Sequence, residues 1–340
     1  MKKTIFILTI LIISSMLLQT ASAATAITGC TTITTPGEYY MTGDIITGPI
    51  RKCIDIQADN VTFDCKGYML YDPANYSIQG KLTTVISAAV YSEMENSTVK
   101  NCEIKMWDYA IEFHNTNNAA IHNNEIYHNK MTGVLFTGST NTKIYDNEIY
   151  YHLFGYGIKF WQTNQGHIYN NEIHHNTLDG IFVGESNNND IEYNTIYNNM
   201  QGIKFQSSSD NNEVNDNKVS YNAFKGVYLT SNCNSNLIFN NIFANNTCNA
   251  IDTGSNSWNT TNSTGPNIIG GPYIGGNYFS DYPYPDTDGD GFGEIPHNIS
   301  GGDNIDFLPL TIIPEFPVMF LSVGLMFLSL FARRKDYLNG

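Results

Sequence analysis

The sequence predicts an all-β chain wound as a right-handed parallel β-helix, a three-sheet solenoid with coils of about 23 residues. Three observations carry this. Apolar and asparagine columns recur in register over more than 140 residues. No stretch between residues 50 and 255 holds a sustained 3.6-residue period. Asn-, Gly- and Ser-rich turns cut the apolar matter into segments of about four residues.

The first column is Ile104, Ile126, Ile149, Ile173, Ile196, Val219 and Ile242, at intervals of 22, 23, 24, 23, 23 and 23. Two residues earlier stand Cys102, Asn124, Asn147, Asn171, Asn194, Asn217 and Asn240. A third column, each member preceded by Gly or Ala, is Ile111, Val134, Ile158, Ile181, Ile203, Val227 and Ile251. The fourth is Ile121, Ile144, Ile168, Ile191, Val214 and Leu237. A three-strand unit of this length cannot bury its own apolar side, whereas stacked coils spaced about 4.8 Å apart can. The asparagines then form a ladder of side-chain amides, and the hand of crossover connections gives right-handed winding.

The solenoid, with its N-terminal cap, is expected over residues 24–255. "CIDIQADNVTFDCKGYML" (Cys53–Leu70) reads as its first full coil, followed by an insertion within Tyr71–Thr84. Beyond Ile251 the repeat fades into a polar loop, and residues 256–313 form a C-terminal cap that covers the last coil. Six cysteines suit an oxidising compartment. Cys65 aligns with Cys102, and Cys30–Cys53 and Cys233–Cys248 are the natural remaining pairs, with connectivity left open by sequence.

Both ends read as targeting segments. Residues 1–23 have a charged start, an apolar run and Ala21-Ser22-Ala23, the pattern of a secretory signal peptide. In residues 314–340, the apolar run Val318–Ala332 precedes Arg333-Arg334-Lys335. Fifteen helical residues reach only about 23 Å, short of a hydrocarbon core near 30 Å. The segment reads either as a membrane anchor or as a sorting tail. Pro314-Glu315-Phe316 resembles the PEF-type signal of archaeal surface proteins, which implies a sortase-like processing enzyme as partner. Either way the expectation is an extracellular protein at the cell surface, membrane-anchored.

Setting aside the five cations and one anion of those ends takes the formal charge from −15 to −19. Such a surface repels nucleic acid. Sequons at Asn60, Asn75, Asn96, Asn245, Asn259, Asn262 and Asn298 permit a glycoprotein in that compartment.

"GCTTITTPGEYYMTGDI", the Cys53–Leu70 coil, the N-x-I…G-I repeats and "GGNYFSDYPYPDTDGDGFGEIPHNI" follow one another as in archaeal right-handed β-helix surface proteins. The chain thus resembles the NosD-type copper-binding family and the wider pectate-lyase-like superfamily over about residues 27–310. That resemblance implies the fold, and it implies either copper handling or action on polysaccharide. It assigns no activity, because fold does not carry function.

Candidate chemistry falls in three places. His128, His152 and His175 lie on successive coils and suggest a copper or zinc site, with a bland alternative as turn residues. Tyr109, Tyr156, Trp161, Asp179, Phe182 and Tyr228 face outward beside the Gly-Ile column, where aromatic faces and a carboxylate suit a glycan. A lyase or glycoside hydrolase is the alternative for that sheet. Against it, Arg51 is the only arginine ahead of the tail, and Asp179 stands three coils from Glu112, too far for a carboxylate pair. Asp286, Asp288, Asp290 and Glu294 in "DTDGDGFGE" match a calcium loop, with Asp303 or Asp306 as further ligands. His297 stands where an EF-hand needs glutamate, so the loop is not one. The function expected is a structural, adhesive or glycan-binding surface protein whose partner is an extracellular polysaccharide.

Overall fold

A computed structural model describes residues 23–74 and 86–312. The signal segment, most of the Tyr71–Thr84 insertion, Asn75 and the tail from Pro314 onward lie outside the described residues. Within them, no helix is long and apolar enough to cross a membrane.

The chain winds as a parallel β-helix of three sheets, with 11, 10 and 10 strands. We label them A, B and C in that order. One coil runs from Tyr109–His114 in sheet B to Ala120–His122 in sheet A and Glu125–Tyr127 in sheet C. The next sheet B strand, Thr132–Thr137, lies parallel on the first, with Ile111 on Val134 and Glu112 on Leu135. Inward residues of the three sheets meet in one dry core. Phe113, Phe136 and Phe160 are fully buried there and meet edge-on, with centroids 5.5 and 5.9 Å apart.

The columns fall in register as far as Val227 and Val219. In the last coil they slip by one. Val214 pairs with Ile238, Val219 with Phe243 and Val227 with Ala250, so Leu237, Ile242 and Ile251 are displaced from the inward columns. The slip arises because 24 residues, rather than 23, separate the partners on sheets A and C there.

The polar turns are as ordered as the core. Asn194 is typical of its ladder: its Oδ1 accepts the backbone and side-chain N–H groups of Asn171, both at 3.0 Å. Its Nδ2 donates to Ile168 O, Glu192 O and Asn217 Oδ1. Two further ladders stand at the other corners, one through Asn176, Asn199 and Asn222, the other through Asn189, Asn212 and Asn236. The glycine of each Gly-Ile step makes room for this packing. A Cβ on Gly180 would lie 2.7 Å from Ile196 Cγ2 and 2.9 Å from Gly202 O.

The solenoid extends further at both ends than the period suggests. A coil precedes Cys53, since Thr31–Ile33 pairs with Ile54–Ile56. At the far end Tyr278–Phe279 continues sheet C, and the first ladder runs on through Asn241 to Asn277 and finishes on Asp306. Residues 256–312 thus join the stack through Tyr278–Phe279 and the ladder, while Ser263–Thr264 with Tyr273–Ile274 and His297–Asn298 with Ile305–Asp306 form separate two-stranded sheets. Cys30–Cys53 and Cys65–Cys102 are disulfides, but Cys233 and Cys248 are free thiols. Cys233 is buried at the corner between sheets B and A, whereas Cys248 opens the next sheet B strand opposite Lys225. Nearness in sequence sets them at different corners of the coil.

Candidate functional site

Sheet B carries most of the outward chemistry. Its register stacks Glu112, Leu135, Lys159, Phe182, Lys204 and Tyr228 in one row. Asp179, Gln201 and Lys225 make a second row beside it. Tyr156, Trp161 and Phe182 come together: the Tyr156 and Phe182 centroids lie 4.9 Å apart, and Trp161 stacks on Phe182 at 6.3 Å. Lys159 Nζ sits among all three rings, 5.4–5.6 Å from each centroid. Lys204 approaches Phe182 at 5.8 Å, and Lys225 lies 3.3 Å over Tyr228.

Asp179 is only 2% exposed beneath this group. Burial pushes its carboxyl up to about 6, against the pull of Lys204, the Gln201 hydrogen bond and Lys225. Burial also lowers Lys159, and burial followed by repulsion from Lys204 lowers Lys225. Among the described residues Lys159, Lys204 and Lys225 make no ion pair within 4.0 Å. The aromatic rings and Asp179 are the ligands expected from the sequence, and these lysines are not among them. Their signal was available, since all three fall in the columns flanking Gly-Ile.

Tyr109 stands apart, in a second cleft of about 370 Å³ toward the N-terminal end. Arg51, Lys52, Tyr91, Glu93, Glu112 and His114 line it with Tyr109. Its carboxylates are engaged. Glu112 bonds His114 Nε2 at 2.8 Å, and Glu93 accepts from the Tyr91 hydroxyl.

The three-histidine site does not assemble. His152 is fully buried in an asparagine ladder, where its Nδ1 accepts Asn129 N–H at 3.2 Å and its Nε2 has no partner. Burial holds it neutral, with its pKa down to about 3. His128 and His175 instead occupy the neighbouring left-handed turn column with Tyr151 between them, His128 stacked on its ring and His175 tilted against it. No cluster of three or more potential metal ligands among the described residues includes any of the three. His152→Asn is expected to raise stability by about 1 kcal/mol, because asparagine restores the ladder and removes an orphaned buried nitrogen. An unchanged or lowered denaturation midpoint would count against this account.

His174, which adjoins His175 and departs from the repeat but is not among the expected ligands, does find a partner. Its Nδ1 lies 2.8 Å from His175 Nδ1, and its Nε2 lies 3.3 Å from Glu148 Oε1. The acidic loop is partly as expected. Asp286, Asp288 and Glu294 bring one oxygen each within 4.8 Å of one another. Asp290 is not in that group; its Oδ1 accepts Phe292 N–H. Asp306 is buried at the end of the ladder and cannot serve as a ligand there, and Asp303 does not join the group either.

The model of a family described as periplasmic copper-binding protein (NosD) matches residues 74–283. No curated protein sequence matches. Among solved structures, the chain is similar to the A-module of the Azotobacter vinelandii mannuronan C-5 epimerase AlgE4. The two are 14% identical with a TM-score of 0.53, covering 66% of this chain and 67% of that one. It is also similar to the A-module of the AlgE6 mannuronan C-5 epimerase of the same organism, 17% identical with a TM-score of 0.50, covering 67% of each chain. At such identity the likeness speaks for the fold.

Proposed function

The chain belongs to the NosD family, described as periplasmic copper-binding proteins, and from that exported setting we propose that it holds an acidic polysaccharide along the outer face of sheet B. One observation carries this. Lys159, Lys204 and Lys225 stand close together without ion pairs, in a chain whose net charge is −15. Unpaired cations crowded on one face repel one another, and an anionic ligand removes that cost. The part-exposed rings of Tyr156, Trp161 and Tyr228 give flat apolar faces for sugar rings, with Phe182 buried against the first two. The terminal segment from Pro314 retains the protein at the surface, and a Ca²⁺ ion held by Asp286, Asp288 and Glu294 braces the cap.

Affinity electrophoresis of the full chain tests this against polygalacturonate and an uncharged glucan. Retardation is expected only with the acidic polymer, weakening as salt screens the lysines. The triple substitution Lys159→Gln, Lys204→Gln, Lys225→Gln is expected to weaken binding about tenfold or more with an unchanged melting temperature. Equal retardation by both polymers would refute the charge argument. Release of reducing or unsaturated ends would point to catalysis instead of retention.

A further inference from the structure

The coil at residues 172–176 places a histidine in each of two neighbouring columns, and the two rings meet edge to face. His174 takes the place held by Tyr150 and Tyr197 on the adjoining coils, and is sandwiched between their rings at 4.9 and 4.8 Å. His175 sits in the left-handed turn position next to it, with Tyr151 tilted against it at 4.9 Å. The flanking tyrosines are themselves anchored, Tyr150 to Glu125 and Tyr197 to Glu172, each at 2.7 Å. The imidazoles are therefore fixed in orientation by contacts that do not use their Nδ1 atoms.

The geometry points to His174 and His175 as a bidentate site for a Cu(II)-class ion, bound through both Nδ1 atoms. Two nitrogens 2.8 Å apart, each about 2.0–2.1 Å from one ion, subtend an angle of roughly 90° at it. That is the angle between adjacent ligands in a square-planar or tetragonal Cu(II) site, and it is too narrow for tetrahedral zinc. The outer contacts also fit. Glu148 only accepts, so His174 carries its proton on Nε2 and leaves Nδ1 bare. A carboxylate behind a ligating histidine is the usual means of fixing its tautomer.

In the metal-free protein the one proton between the two Nδ1 atoms belongs to His175, whose Nε2 accepts from the Asn198 amide at 3.3 Å. Metal entry shifts that proton to Nε2, and the Asn198 amide turns to present its oxygen. No proton is released. The family description names copper without placing it in this chain. Here the buried, unpartnered His152 is excluded and the adjacent pair takes the ion.

The test is titration of the full-length chain with Cu(II) chloride, alone and with equimolar Zn(II), read by calorimetry and electron paramagnetic resonance. One tight equivalent is expected, showing hyperfine coupling to two nitrogens and resisting displacement by Zn(II). His174→Tyr and His175→Asn each install the residue a neighbouring coil already carries, so the fold is kept. Each is expected to weaken that equivalent by about tenfold or more. His152→Asn and His128→Asn are expected to leave it unchanged. Absence of a tight equivalent, insensitivity to both variants of the pair, or loss in His152→Asn would each overturn the assignment.

Discussion

Asn194→Leu is expected to lower the stability of the chain by about 3–6 kcal/mol, although leucine is apolar and similar in size and the position is 1% exposed. The substitution strips the acceptor from two buried donors, Asn171 N and Asn171 Nδ2. It also removes the donor that serves Ile168 O, Glu192 O and Asn217 Oδ1. Water cannot reach the site to replace them, and each orphaned group costs about 1–3 kcal/mol. The damage has a particular place. A solenoid is held together by nearest-neighbour contacts, so a broken rung midway along the ladder weakens the coupling of two halves. Chemical denaturation should show a lower midpoint, and hydrogen exchange should speed up most in the coils of Asn171 and Asn217. A drop under about 1 kcal/mol would mean that the ladder is ornamental to a core held by its apolar columns.

The repeat was legible because the forces that stack coils act at a fixed spacing. Every coil needs an inward aliphatic residue on each sheet and an amide at the corner, so Ile126, Ile149 and Asn147, Asn171 show themselves through the period alone. The period fails where one residue is added. Asn240 holds the 23-residue spacing, yet Asn241 enters the ladder, because one extra residue between Val214 and Ile238 moves the whole coil. Asn277 stood beyond reach for the same reason: 36 residues separate it from Asn241, and no column marks such an excursion.

The candidate sites were legible in proportion to how far they depart from the repeat. Phe182 and Asp179 break the pattern of their columns and lie on the outer side of sheet B, where neighbouring side chains bury both. His152 breaks its column as well, but inward, where it takes an asparagine's place in a dry ladder rather than a ligand's. The pairing of His174 with His175 depends on a left-handed backbone at residue 175, and spacing in sequence carries no information about that turn. The lysines at 159, 204 and 225 were visible as residues. Their lack of ion-pair partners is a property of the folded surface only.

Asp306 gives the chain an unusual dependence on pH. Its carboxyl is fully buried at the end of the first ladder, with Oδ2 accepting Asn277 N at 2.7 Å and Asn277 Nδ2 at 3.1 Å. Burial, outweighing these bonds, pushes its pKa up from 3.8 to about 7. An acid with a raised pKa holds its proton more firmly in the folded state than in the unfolded one. Its contribution is therefore complete below about pH 4 and is lost as pH rises to about 7, a loss on the order of 4 kcal/mol. Asp179 and Asp216, both pushed up to about 6 chiefly by burial, slope the same way. His152 slopes oppositely: a base held down to about 3 withdraws stability as pH falls below its ordinary 6.5. The wild-type profile mixes these terms, and Asp306→Asn separates them. The amide oxygen can still receive both Asn277 donors, while its nitrogen opposes Leu308 N–H, which now donates to Oδ1 at 3.0 Å. The variant should be less stable than wild type at pH 4, and that deficit should shrink by about 4 kcal/mol, or reverse, by pH 8. Parallel profiles for the two proteins would show that Asp306 is ionised in the fold, with the ladder's donors outweighing burial at its last rung.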